Sequence, residues 1–389
     1  MKKILGFPKN VFVLGVVSFF MDVSSEMIYP LIPIFLSDVL HASKTSIGLI
    51  EGIAESTASI LKVFSGWLSD RLGKRKSIIF WGYGISVLSR PLLAGAGSWI
   101  GVLVYRFTDR VGKGVRTAPR DAIIADVTEK ESLGKAFGFH RAMDTMGAMA
   151  GPAIAFALLL ALNNNMRAVF WISMIPGVLA LITIALFVEE VKKQRAHEKP
   201  HPTLGGLEKR FKYFLIVSGL FTLGRASDAF LVLRANEMGM GLHVIPILYL
   251  SFNTVSAALS TPAGMLADRF GKRNTIFVSY ILFALIFFGF ARADTQAHIW
   301  GLFLAYGAFV AINEGVQRAF VATVISPEMK ATGYGIYHMV VGLAALPASI
   351  IGGALWQNIG PQALFYYGAC MAVAASVVFG VLLMRGEAA

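Results

Sequence analysis

"GWLSDRLGKRKSI" occupies residues 66–78, and "GMLADRFGKRNTI" occupies residues 264–276. Both follow the pattern G-x-L-x-D-R-x-G-K-R, 198 residues apart in a chain of 389. A Gly-rich turn between helices is common. Two blocks that agree at nearly every fixed position, half a chain apart, mark an internal repeat. The repeat extends outward. "SFFMDVSSEMIY" (18–29) aligns with "LFTLGRASDAFL" (220–231), which sets Glu26 opposite Asp228, each after a Ser. At the 198-residue offset of the two blocks, Arg116 and Arg120 correspond to Glu314 and Arg318.

The segments around the repeated blocks are apolar. The chain is 56% hydrophobic and only 15% charged, against roughly 25% charged in a soluble domain. Runs of about 20 apolar residues recur, the length a helix needs to cross a hydrocarbon layer of roughly 30 Å. A membrane β-barrel would instead alternate in segments of about ten residues. The expected fold class is therefore an all-α membrane protein. Twelve spans are expected at 10–36, 46–68, 77–97, 100–127, 133–162 and 167–188, then 211–237, 243–266, 275–293, 297–324, 330–356 and 361–384. The domain boundaries follow: 1–188 as one six-helix bundle, 189–210 as a polar linker, and 211–389 as a second bundle of the same topology. The basic start and first apolar run imitate a signal peptide, but no small-x-small cleavage site follows. An uncleaved first span is expected.

The net charge is +12. In a membrane chain that excess belongs to loops facing the cytoplasm and an anionic leaflet, not to nucleic acid. The basic segments are the N-terminal lysines, 70–77, 189–212 and 268–274, while loops such as 161–167 and 356–362 are nearly uncharged. Both termini are expected on the cytoplasmic side of a bacterial inner membrane. Cys370 is the sole cysteine, so no disulfide forms within the chain, and no Cys/His metal cluster exists. "GKGVR" (112–116) lacks the spacing of a phosphate-binding loop. No cofactor is expected, and no nucleophile–base pair suggests an enzyme.

Here the residues resemble a known family. Twelve spans in two repeated halves, with the D-R-x-G-K-R block after spans 2 and 8, are similar to the major facilitator superfamily of transporters. Arg110 and Gly114 fit the spacing of its fourth-span motif. "GAMAGP" (147–152), with Gly147, Gly151 and Pro152, resembles the fifth-span motif of its proton-coupled antiporter branch, although "AIAFAL" follows where that motif is usually Gly-rich. The resemblance implies two pseudo-symmetric six-helix bundles that work by alternating access, with spans 1, 4, 7 and 10 lining a central cavity. It also implies a cytoplasmic gate at Asp70, Arg71, Gly73, Lys74 and Arg75, with Asp268, Arg269 and Gly271 in the second copy. Basic gate residues can pair with acids at other helix ends, such as Asp126.

Charge inside a membrane span costs roughly 2.5–3.5 kcal/mol per residue on insertion scales, so each such residue is a candidate. Asp22 and Glu26 share one face of span 1, and Glu51, Glu55 and Lys62 share one face of span 2. Arg106, Arg110, Lys113, Arg116 and Arg120 form a stripe on span 4 within an arc of about 120°. Pro119 lies in that stripe and suggests a local break. Span 5 carries His140, Arg141 and Asp144. Span 7 carries Arg225, Asp228, Arg234 and Glu237.

Three readings compete for these charges. They are interhelix locks with Asp22, Glu26, Glu51 and Glu55. They are a path for an anion, since guanidinium binds carboxylate and phosphate bidentately. Or they serve proton coupling, for which Asp22, Glu26 and Asp228 are the candidates. The expected substrate-contacting set is Asp22, Glu26, Arg110, Arg116, Arg120, Arg225, Asp228, Glu314 and Arg318. The expected function is secondary transport, as proton-coupled export of a small anionic or zwitterionic solute by a monomer in the bilayer. The alternatives are efflux of a cationic drug or metal ion through the membrane carboxylates, and a receptor that does not transport.

Overall fold

The computed structural model describes residues 3–72, 75–129, 132–191, 208–325 and 330–384. A two-stranded hairpin, β1 (Lys3–Ile4) and β2 (Phe7–Pro8), opens the chain, and the other regular elements are helical. They are α1 (Lys9–Glu26), α2 (Ile32–Ile34), α3 (Lys44–Leu72), α4 (Arg75–Leu88), α5 (Arg90–Ala94), α6 (Trp99–Asp126), α7 (Leu133–Ala161), α8 (Met166–Ile172) and α9 (Met174–Phe187). Then follow α10 (Lys209–Gly224), α11 (Ala229–Glu237), α12 (Val244–Phe270), α13 (Lys272–Arg292), α14 (Gln296–Val321), α15 (Lys330–Asn358) and α16 (Pro361–Phe379). Helices suit a membrane because each closes its own backbone hydrogen bonds where no water can.

Among the described residues, ten helical segments are long and apolar enough to cross a membrane. The twelve expected spans are matched in number only when α3 and α6 are added. These have 29 and 28 residues, about 42–44 Å at the helical rise, but they fail on composition. Glu51, Glu55 and Lys62 charge the first, and the basic stripe charges the second. The break expected at Pro119 does not occur: α6 runs through it unbroken.

Two other spans are interrupted. After Glu26 the chain makes a turn, a 3-10 segment (Tyr29–Leu31), α2, and a wider π turn (Phe35–Val39). Pro30 and Pro33 each remove a backbone donor there. Between α10 and α11, residues 225–228 leave the helix without any proline. The Ser227 hydroxyl takes over as acceptor for the Ala229 N–H, at 3.3 Å.

The chain divides into two compact units: Met1–Ala42 with Thr57–His197 and Gly241–Leu250, and Ser43–Ser56 with Glu198–Met240 and Ser251–Ala389. The division follows helix packing rather than chain order, since α3 and α12 each contribute to both. The linker residues 192–207 lie outside the described residues. In the first unit α1 packs on α7 and α9, and α4 packs on α6. In the second, α10 packs on α15 and α16, and α13 packs on α14. These are the repeat-related helices in the same pairings. The two cores differ in chemistry. Val11, Leu14, Val17, Ile79, Ile123 and Ile184 make an aliphatic core in the first unit. Phe221, Tyr280, Phe283, Phe287, Tyr306 and Phe309 make a stack of rings in the second.

Candidate functional site

In the first unit, α7 brings Gly147 and Gly151 against α1. A Cβ on Gly147 would meet Phe19 O and the Asp22 Cβ, and one on Gly151 would meet the Glu26 Cβ and the backbone at Val23 and Met27. The two glycines therefore allow the helices to touch backbone to backbone at the two acidic residues. Asp22 and Glu26 are half-buried. The charged groups acting on Glu26 are, strongest first, Lys113, Arg110, Arg106 and Arg90. Its Oε2 is buried without a hydrogen bond among the described residues.

The basic stripe of α6 is mostly inside. Arg106, Arg110 and Arg116 are buried, Arg120 is partly so, and Lys113 is exposed. Arg116 Nη1 donates to Ser86 Oγ at 2.5 Å, and its guanidinium lies 4.4 Å from the Tyr83 ring centre. Ser86 Oγ donates in turn to the Asp109 carbonyl oxygen at 3.0 Å. Arg120 Nε donates to Asp121 Oδ1 at 3.0 Å, and its Nη1 donates to Ser18 Oγ at 3.2 Å. Arg106 stands 5.2 Å from the Tyr29 ring centre. The hydrogen bonds of Arg116 and Arg120 thus go to Ser86, Asp121 and Ser18, which are not the lock partners expected from sequence.

Arg90 joins this cluster and was not among the expected residues. It begins α5, is 1% exposed, and donates to Tyr105 Oη at 2.5 Å and to Ser25 Oγ at 3.0 Å. Its Nη2 lies 3.9 Å from Asp109 Oδ1. A lone Arg inside the apolar third span was the available signal. Four guanidinium groups, Arg90, Arg110, Arg116 and Arg106, act on the one buried carboxylate of Asp109.

The second unit arranges its own charges around the break at 225–228. Tyr306 Oη donates to Asp228 Oδ1 at 2.5 Å, Arg225 Nε donates to Tyr306 Oη at 3.2 Å, and Arg225 lies 4.0 Å from Asp228. Glu314 and Glu55 also act on Asp228. Ser227 Oγ donates to Glu51 Oε2 at 3.4 Å. Tyr306 gave no sequence signal beyond being one ring among many. Arg318 pairs with Glu314 at 3.2 Å one turn away, with side chains 52% and 40% exposed.

At the expected gate, Arg75 is buried and forms an ion pair with Asp126. The free N–H groups that start α4 are accepted by Glu190, at 2.8 Å from Arg75 N and 3.2 Å from Lys76 N. A carboxylate is favoured there by the helix dipole. The side chains of Asp70 and Arg71, and residues Gly73 and Lys74, lie outside the described residues. In the second copy, Asp268 and Arg269 are exposed in the last turn of α12. Gly271 then takes φ +88°, which favours glycine, and α13 begins at the next residue. Asp268, Gly271, Lys272 and Arg273 line a cavity of about 520 Å³.

The arrangement is one of many buried charges on interrupted, lipid-length helices. No group of His, Cys, Asp and Glu among the described residues can hold a metal ion. The sequence profile of the Major Facilitator Superfamily matches residues 14–234 and again 214–389. An uncharacterised MFS-type transporter of Methanocaldococcus jannaschii is 38% identical over 384 residues, covering 97% of this chain and 94% of that protein. A probable 4-methylmuconolactone transporter of Cupriavidus pinatubonensis is 24% identical, covering 86% and 81%. The crystal structure of a mutant of the nucleoside transporter NupG superposes with a TM-score of 0.81 at 14% identity, covering 96% of this chain and 100% of that one. A chain with this doubled helical fold, matched over both halves by one profile, belongs to the major facilitator superfamily of membrane transporters.

Proposed function

We propose that this transporter couples proton movement to the export of a small anionic or zwitterionic solute. The observation that carries the reading is the excess of buried guanidinium over carboxylate in the first unit. Arg90, Arg106, Arg110 and Arg116 are all buried, and Asp109 is the one fully buried acid near them. Guanidinium groups gathered on one helix attract an anion, and a carboxylate or phosphate on the solute matches their planar donors in bidentate form. Each unit by itself interrupts one span beside a carboxylate, span 1 at Glu26 and span 7 at Asp228, the kind of discontinuous helix that holds ions and substrates in secondary transporters. Proton coupling draws support from Glu26, whose buried Oε2 makes no hydrogen bond among the described residues while four cations act on it.

We place the protein in the plasma membrane as a monomer, with both termini cytoplasmic, on the strength of its basic loops. The Arg75–Asp126 pair, with Asp268 and Arg269 in the second copy, then belongs to the cytoplasmic gate.

The test is reconstitution of the full-length chain in liposomes with panels of radiolabelled organic anions, zwitterions and cations, with and without an imposed pH gradient. Net movement of anions or zwitterions that follows the gradient is expected. Movement of cations alone overturns the substrate class. Movement that ignores the gradient overturns the coupling.

A further inference from the structure

The seam between α1 and α7 carries more titratable groups than the pair on α1. His140 is buried on α7, and its Nδ1 lies 3.5 Å from Asp144 Oδ2, one turn further on. Asp144 is, of all charged side chains, the one acting most strongly on Asp22. Asp22 lies against Gly147, and Glu26 lies against Gly151. From the Leu133 end of α7, the order along the seam is therefore His140, Asp144, Asp22, Glu26. Residues 140 to 151 of a helix span about 16 Å, roughly half of the hydrocarbon thickness.

Three atoms on this line are buried and make no hydrogen bond among the described residues: His140 Nε2, Asp144 Oδ1 and Glu26 Oε2. Buried polar atoms that serve only packing are normally hydrogen-bonded. Here the unsatisfied atoms follow one another along a single seam. The charged groups facing the line come from α1, α6 and α7. The two acids lie on α1, Lys113, Arg120 and Asp121 on α6, and Arg141 on α7 itself, and Arg120 donates to the Ser18 hydroxyl of α1.

We propose that His140 and Asp144 carry protons between the Leu133 end of α7 and the Asp22–Glu26 pair. The inference rests on the proton coupling proposed above and names its path. A proton bound at His140 Nε2 lets Nδ1 release one to Asp144 Oδ2, and Asp144 hands it on to Asp22. Each transfer moves one proton between lone pairs, with no change of oxidation state. His140 and Asp144 need not touch the solute.

The test needs no solute. Full-length protein in lipid nanodiscs is stepped from alkaline to acidic pH, and infrared difference spectroscopy follows the rise of the protonated-carboxyl band. Asp22→Asn and Glu26→Gln identify the two components. With His140→Gln the Asp22 component should reach its full amplitude about 100-fold more slowly, the scale of loss when a positioned proton carrier is removed. Asp144→Asn should slow it equally, and Asp144→Glu should restore the rate. Thermal unfolding of each variant separates slow transfer from misfolding, and the Asp144→Glu rescue decides the case if His140→Gln is unstable. An unchanged rate in well-folded His140→Gln and Asp144→Asn overturns the path. Absence of the Asp22 and Glu26 components from the wild-type spectrum overturns the coupling itself, a distinguishable result.

Discussion

Glu26 and Asp228 occupy one position of the internal repeat, and each borders an interruption of its span, Glu26 at the end of α1 and Asp228 just before α11. Their surroundings are opposite. Asp228 is satisfied inside its own unit by the Tyr306 hydroxyl and the Arg225 guanidinium. Four cations act on Glu26, and its buried Oε2 makes no hydrogen bond among the described residues. Spans 4 and 10 differ in depth instead. Arg116 is inside, held by Ser86 and Tyr83, while its mate Glu314 is half-buried and paired with the exposed Arg318. Duplication supplied one scaffold twice. The two copies then diverged in which charges they leave unsatisfied. Of the repeat-related pair, Asp228 is the more fully hydrogen-bonded among the described residues.

The contrast can be broken by experiment. The largest effect is expected from Arg90→Ala, which strips Asp109 of its nearest cation and frees Ser25 beside Glu26. A loss of about 3–5 kcal/mol is expected, the cost of breaking a buried ion pair, read as thermal or denaturant unfolding in micelles. Next, Glu26→Gln should cut gradient-driven transport about 100-fold or more, as removal of a proton carrier does, while leaving the unfolding temperature nearly unchanged. Its mate Asp228→Asn should act the other way, costing about 1–3 kcal/mol of stability through the unsatisfied Arg225 and Tyr306. If Asp228→Asn silences transport in a fully stable protein, the asymmetry between the units is wrong. A smaller effect is expected from Gly151→Ala, which forces α1 and α7 apart at Glu26. About 1–3 kcal/mol is the usual cost of such overpacking. The smallest is expected from Glu314→Ala, since exposed pairs contribute about 0.2–1 kcal/mol.

The fold was legible where chemistry repeats. The doubled D-R-x-G-K-R block marked the repeat, and the apolar runs placed twelve spans, ten of which are helical segments long and apolar enough to cross a membrane. At the other two positions stand α3 and α6, long helices whose charge keeps them out of that set. The interruption after Glu26 has Pro30 and Pro33 to announce it. The one at 225–228 has no such mark, since it rests on a Ser227 hydroxyl replacing a backbone acceptor. Pro119, which did suggest a break, sits in a continuous helix, because a proline costs one hydrogen bond and tight packing on α4 can absorb that. The pairing of Arg75 with Asp126 follows from charge at helix ends. The role of Glu190 does not, because it depends on where the chain passes after α9. Tyr306 and Ser86 were invisible for a related reason. Hydroxyls that satisfy a buried charge look like any others until the helices are assembled.

Gly271 has a consequence for time as well as shape. Only that residue separates α12 from α13, so the joint holds a single φ/ψ pair outside the helical region. Asp268 and Arg269 on one side, and Lys272 and Arg273 on the other, ride on rigid rods rather than on a loop. Such a joint has almost no backbone freedom on the nanosecond scale of ordinary loops. The exposed side chains of Asp268 and Arg269 still change rotamer within nanoseconds, but carrying their backbone anchors to new neighbours requires a whole helix to tilt, which belongs to microseconds and milliseconds.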